Sequence, residues 1–84
     1  MKHASQKTLA SLDKLLSEIR LLPRITEKKT GIFYKSGKAF LHFHEDPAGI
    51  FADARVEGHD FNRFSVNSED EVTVFLGVLR EKLA

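Results

Sequence analysis

Between residues 31 and 56 the sequence runs with a period of two, whereas on either side of that stretch apolar residues recur at steps of three and four. Alternation at period two describes a strand with one buried face, and steps of three and four describe one stripe of a helix. A chain that switches helix, strand, helix in this way is confined to a layered α+β arrangement. With only 84 residues there is material for one such domain, residues 1–84, in which nearly every large apolar side chain is needed for the core.

Leu9, Leu12, Leu15, Leu16, Ile19 and Leu22 predict a helix over residues 5–22. Pro23 ends it, because proline has no N–H and disfavours helical geometry in the residue before it. At the other end, Ser68 and Glu71 form a capping-box pair, and Glu69, Asp70 and Glu71 put negative charge at the positive end of the helix dipole. Val72, Phe75, Leu76, Leu79 and Leu83 supply the buried stripe of this second helix. Between them, residues 31–35 and 38–44 read as a hairpin about Ser36-Gly37. Residues 45–48 read as a turn, 49–56 as a third strand and 63–66 as a short fourth. Residues 24–30 read as a linker with room for a short strand. The expected fold is helix, a three- or four-stranded antiparallel meander, helix, with both helices on one sheet face.

A two-residue turn at Ser36-Gly37 sets Tyr34 against Ala39, Phe33 against Phe40 and Ile32 against Leu41. A turn spanning 45–48 sets His44 against Gly49, His42 against Phe51 and Phe40 against Asp53. Sorted by face, Ile32, Tyr34, Ala39, Leu41, Phe43, Ile50, Ala52, Ala54 and Val56 form an apolar side for the helices. The reverse carries Phe33, Lys35, Lys38, Phe40, His42, His44, Phe51, Asp53 and Arg55. Three phenylalanines exposed together make a patch of about a few hundred Å², the size at which binding or self-association is the usual explanation.

Composition excludes several classes. There is no cysteine, hence no disulfide, thiolate site or cysteine nucleophile. The net charge of +1 gives no bulk signal for nucleic acid or membrane. No apolar run is long enough for a membrane span, the first residues lack a signal peptide, and the expected location is cytoplasmic. No nucleotide-binding, nucleophile-elbow or zinc-protease motif occurs, so no enzyme and no cofactor is implied.

Three functions remain open. The first is a non-enzymatic interaction module working through Phe33, Lys35, Lys38, Phe40, His42, Phe51 and Arg55, in its simplest form a homodimer pairing sheet faces. The second is nucleic-acid binding, in which the same rings stack bases beside the basic residues Arg20, Arg24, Lys28, Lys29, Lys35 and Lys38. The third is a metal site: His42 and His44 share a strand face, and Asp53 adds a cross-strand oxygen.

The stretch Phe40-Leu41-His42-Phe43-His44-Glu45-Asp46-Pro47-Ala48-Gly49-Ile50-Phe51-Ala52-Asp53, followed by Asp60-Phe61-Asn62-Arg63-Phe64, resembles a small bacterial family of uncharacterised proteins. The resemblance covers roughly residues 31–83 and implies no activity. More distantly, the helix–meander–helix order is similar to that of MmcQ/YjbR-type domains, for which DNA binding has been proposed; that likeness implies a nucleic-acid partner and assigns no residue.

Overall fold

The computed structural model of the chain describes residues 2–84, residues 2 and 3 by their backbone. The elements are β1 (Lys2–His3), α1 (Gln6–Ser11), α2 (Asp13–Arg20), β2 (Thr26–Lys29), β3 (Ile32–Lys35), β4 (Lys38–Asp46), β5 (Gly49–Ala54), β6 (Asn62–Ser65) and α3 (Glu69–Leu83). The fold is α+β, with an antiparallel meander between an N-terminal pair of helices and a C-terminal helix.

The N-terminal helical stripe is in two pieces. Ser5 caps α1, its Oγ accepting the Thr8 N–H at 3.2 Å. At Leu12 the backbone tightens, its N–H reaching only three residues back to the Leu9 carbonyl. The turn costs nothing in burial, since Leu9, Leu12, Leu15, Leu16 and Ile19 all remain in the core. Pro23 lies beyond the end of α2, as expected. Arg24 then takes a left-handed φ of 73° and donates Nε to the Leu83 carbonyl at 3.1 Å, tying this turn to the end of α3.

The Ser68 cap forms, its Oγ accepting the Glu71 N–H at 3.2 Å. Glu71 reaches back one residue further than in the usual box, accepting from the Asn67 N–H at 2.8 Å and from Ser65 Oγ at 2.9 Å. These bonds, the Asn67 one foremost, hold its carboxyl below the ordinary range. Phe75, Leu76, Leu79 and Leu83 then join the stripe of the first two helices against Leu41, Phe43, Ala52 and Ala54 in one core. Each large side chain fully buried there contributes about 1.5–3 kcal/mol.

The meander has five strands in the order β2-β3-β4-β5-β6, and β1 pairs separately with β4. The count exceeds the three or four expected because residues 26–29 form an edge strand. Thr26, Glu27, Lys28 and Lys29 show no apolar alternation, since an edge strand can be held by its ladder and by its ends. Glu27 supplies one end: it accepts from Arg20 at 2.6 and 3.0 Å and from the Gly31 N–H at 2.9 Å. Arg20 is the main reason its carboxyl lies below the ordinary range.

Register departs from expectation in both hairpins about β4. In the first, Lys35 opposes Lys38 and Tyr34 opposes Ala39, as expected, but Phe33 opposes Leu41. Phe40 is an extra residue on β4, a β-bulge, and beyond it each side chain of β3 changes sides. Phe33 therefore leaves the mixed face and is 1% exposed in the helix-side core, while Tyr34 and Ala39 take the outer face. In the second hairpin the turn is only Pro47-Ala48, so Asp46 opposes Gly49, His44 opposes Phe51 and His42 opposes Asp53. Every partner moves by two residues and no face changes.

Candidate metal centre

The helix-free face of the sheet is built from alternate residues of three strands. His42 and His44 come from β4, Phe51 and Asp53 from β5, and Arg63 from β6, directly opposite Asp53. On β4 the two histidines are two residues apart, so alternation alone puts both rings on this side. Their ring centroids are 4.5 Å apart, edge to face at 68°. His44 Nε2 lies 3.2 Å from Asp53 Oδ2. One ligating atom from each of His42, His44 and Asp53 can be chosen so that all lie within 4.8 Å of one another.

Asp53 is the one buried charged residue among those described, 6% exposed. Burial alone would favour its protonated form. Arg63 outweighs that: Nε and Nη2 donate to Oδ1 and Oδ2 at 2.8 and 2.9 Å, a bidentate pair. This pairing is the largest reason that the Asp53 carboxyl lies below its ordinary value, with the charges of Arg63, His44 and His42 adding to it. Asp53 is thus held ionised and oriented. A carboxylate has about four lone-pair sites, so the two that Arg63 takes leave others free on the oxygens, of which Oδ2 lies beside His44.

The surroundings are partly apolar. Phe61 packs edge-on against His42 at 4.6 Å, and the Arg55 guanidinium lies 4.2 Å above Phe61. Arg55 also donates Nε to the Ala39 carbonyl at 2.8 Å and Nη1 to the His59 carbonyl, drawing residues 55–61 back across this end of the face. Phe40, opposite Arg55 through the Arg55 N–H to Phe40 carbonyl bond, is 3% exposed. Arg63 stands 5.9 Å from the Phe51 ring.

The structure therefore separates the residues that the sequence grouped together. Phe33 belongs to the core under the helices and Phe40 is buried; only Phe51 keeps part of its ring open. Lys35 and Lys38 stand at the hairpin tip beside the Ser36-Gly37 turn, paired with each other, and the bulge puts them on the helix side of the pleat. The expected patch of three exposed phenylalanines is not formed. Leu21 and Val74, on no strand, are the large apolar residues most exposed among those described. Two of the cations expected to face a polyanion are engaged within the chain, Arg20 with Glu27 and Arg24 with Leu83, and Arg55 of the expected interaction surface is engaged with two carbonyls.

His42, His44 and Asp53, by contrast, are brought together. Arg63 and Phe61 complete their setting, and both were missed in the sequence. A signal existed for Arg63: opposite charges ten residues apart about a Gly58 turn pair directly if β5 and β6 are neighbours.

No family model, curated protein or solved structure matches this chain. Among the described residues no helix is long and apolar enough to cross a membrane.

Proposed function

We propose that this chain is a small non-enzymatic binding module whose ligand is a divalent transition-metal ion held by His42, His44 and Asp53. The observation that carries this reading is the convergence of two imidazoles and an ionised carboxylate within 4.8 Å on strands fixed by their ladder. Metal–ligand bonds of 2.0–2.2 Å in a tetrahedron require ligand atoms about 3.3–3.5 Å apart. The His44–Asp53 separation of 3.2 Å is close to that spacing. A donor set of two nitrogens and one oxygen suits Zn²⁺, Ni²⁺ or Co²⁺ rather than Ca²⁺ or Mg²⁺, which take oxygen ligands. Arg63 acts from outside the donor set, fixing the carboxylate as outer partners of metal ligands commonly do.

Thermal unfolding with and without Zn²⁺ or Ni²⁺ tests this. An ion at 100 times its dissociation constant stabilises the folded state by about 2.7 kcal/mol. The wild-type protein is expected to gain that stability, and His44→Ala to lose the gain while folding normally without metal. Equal shifts in the two proteins would remove the proposal.

A further inference from the structure

Two of the three proposed ligands are supported from outside the donor set, and both supports come from one short run of chain. His42, Asp53 and Arg63 stand side by side in one row across β4, β5 and β6. Arg63 fixes the Asp53 carboxylate through its two hydrogen bonds. Phe61, two residues before Arg63, meets the other flank. Its ring lies edge to face with the His42 imidazole, the centroids 4.6 Å apart and the planes at 85°. Alternation puts residues 61 and 63 on the same side of the sheet. The start of β6 thus backs a nitrogen ligand with one side chain and an oxygen ligand with another.

Phe61 ends a loop that Arg55 ties down. Ala54 and Asn62 are paired, so residues 55–61 make the whole connection from β5 to β6. Arg55 is anchored beside the Phe40 bulge, its N–H donating to the Phe40 carbonyl at 2.9 Å and its Nε to the Ala39 carbonyl at 2.8 Å. From there Nη1 donates to the His59 carbonyl, and the guanidinium lies 4.2 Å from the centre of the Phe61 ring. A guanidinium over a ring attracts it and limits where the ring can go. The Glu57 N–H donates to Asn62 Oδ1 at 3.2 Å and closes the loop on itself.

An imidazole that turns freely loses that freedom when it takes an ion, and the loss weakens binding. A ring already fixed by its neighbours has less to lose. We propose that residues 55–61 are a positioning device for the ion site: Phe61 holds the His42 ring in the orientation that groups it with His44 and Asp53, and Arg55 holds Phe61. This rests on the metal-binding reading above and adds to it two residues that touch no ion. Both act through His42, as Arg63 acts through Asp53.

The experiment is titration with Zn²⁺, and with Co²⁺ followed by its visible absorption, of wild type, Phe61→Leu, Phe61→Tyr, Arg55→Lys and Val72→Ala. Phe61→Leu keeps apolar bulk without a ring and is expected to bind about tenfold more weakly, the lower end of the range for outer partners of metal sites. Phe61→Tyr keeps the ring and is expected to bind as wild type does. Arg55→Lys keeps the charge but not the planar fork, and its affinity is expected to fall between the two. The Co²⁺ absorption is expected to change in Phe61→Leu and not in Phe61→Tyr. Val72→Ala loses packing on the helix side of the sheet, and is expected to melt earlier with unchanged affinity. Wild-type binding with equal losses in Val72→Ala and Phe61→Leu, or with none in Phe61→Leu and Arg55→Lys, overturns the positioning role and leaves the metal reading standing. Absence of binding in wild type overturns both.

Discussion

The two hairpins that share β4 went opposite ways between sequence and structure, and the contrast is instructive. In β3–β4 the turn at Ser36-Gly37 and the first two pairs were legible, yet one extra residue, Phe40, reversed the facing of Phe33 and Tyr34. In β4–β5 the turn was placed two residues too wide and each partner was wrong, yet His42, His44, Phe51 and Asp53 stayed on the face assigned to them. A strand has a period of two, so an even error preserves faces and an odd one inverts them. Function by surface depends on faces, and so a correct turn was worth less here than a correct parity.

The largest test of that contrast compares one ring from each hairpin. Phe33→Ala removes a ring that is 1% exposed and is expected to cost about 3–5 kcal/mol in denaturant unfolding. Phe51→Ala, on the half-open outer face, is expected to cost about 1 kcal/mol. Similar losses from the two would put both rings on the same face and remove the bulge from the account.

A smaller effect is expected at the β4–β5 turn. Gly49 has a φ of 133°, a region that residues with a side chain rarely enter, and an added Cβ would meet Asn67 Oδ1 at 2.7 Å. Asn67 is itself engaged there, accepting the Ile50 N–H at 2.8 Å and donating to the Ile50 carbonyl at 2.9 Å. Gly49→Ala should therefore lose about 1–3 kcal/mol in thermal or urea unfolding. A neutral result would mean that the short turn is not the one adopted.

The smallest concerns the other turn. Ser36 and Gly37 both have positive φ, 53° and 80°, the pattern of a type I′ turn, in which Asn is preferred at the first position. Ser36→Asn is expected to stabilise by about 0.5 kcal/mol, read as a small rise in melting temperature. Destabilisation would show that the serine contributes something beyond its backbone angles.

Much of the scaffold is legible in the sequence. The helix-side stripes, the stop at Pro23, the Ser68 cap and the meander each follow from local chemistry, since capping, proline and periodicity act within a few residues. Part of the site was legible for the same reason: His42 and His44 share a face by alternation alone. Arg63 and Phe61 were not, because their place depends on how β6 and the segment before it return to β5. The edge strand β2 was hidden for want of an apolar pattern, its position being secured by Arg20 and Gly31 from outside the strand.

The chain by itself thus determined which segments coil and which extend, because those preferences are written in neighbouring residues. Only the tertiary structure decided which rings are covered and which charges meet. A single bulge carries Phe33 into the core, and a strand ten residues on brings Arg63 to Asp53. Both depend on distant backbones competing for the same hydrogen bonds, and nothing local in the sequence encodes the result of that competition.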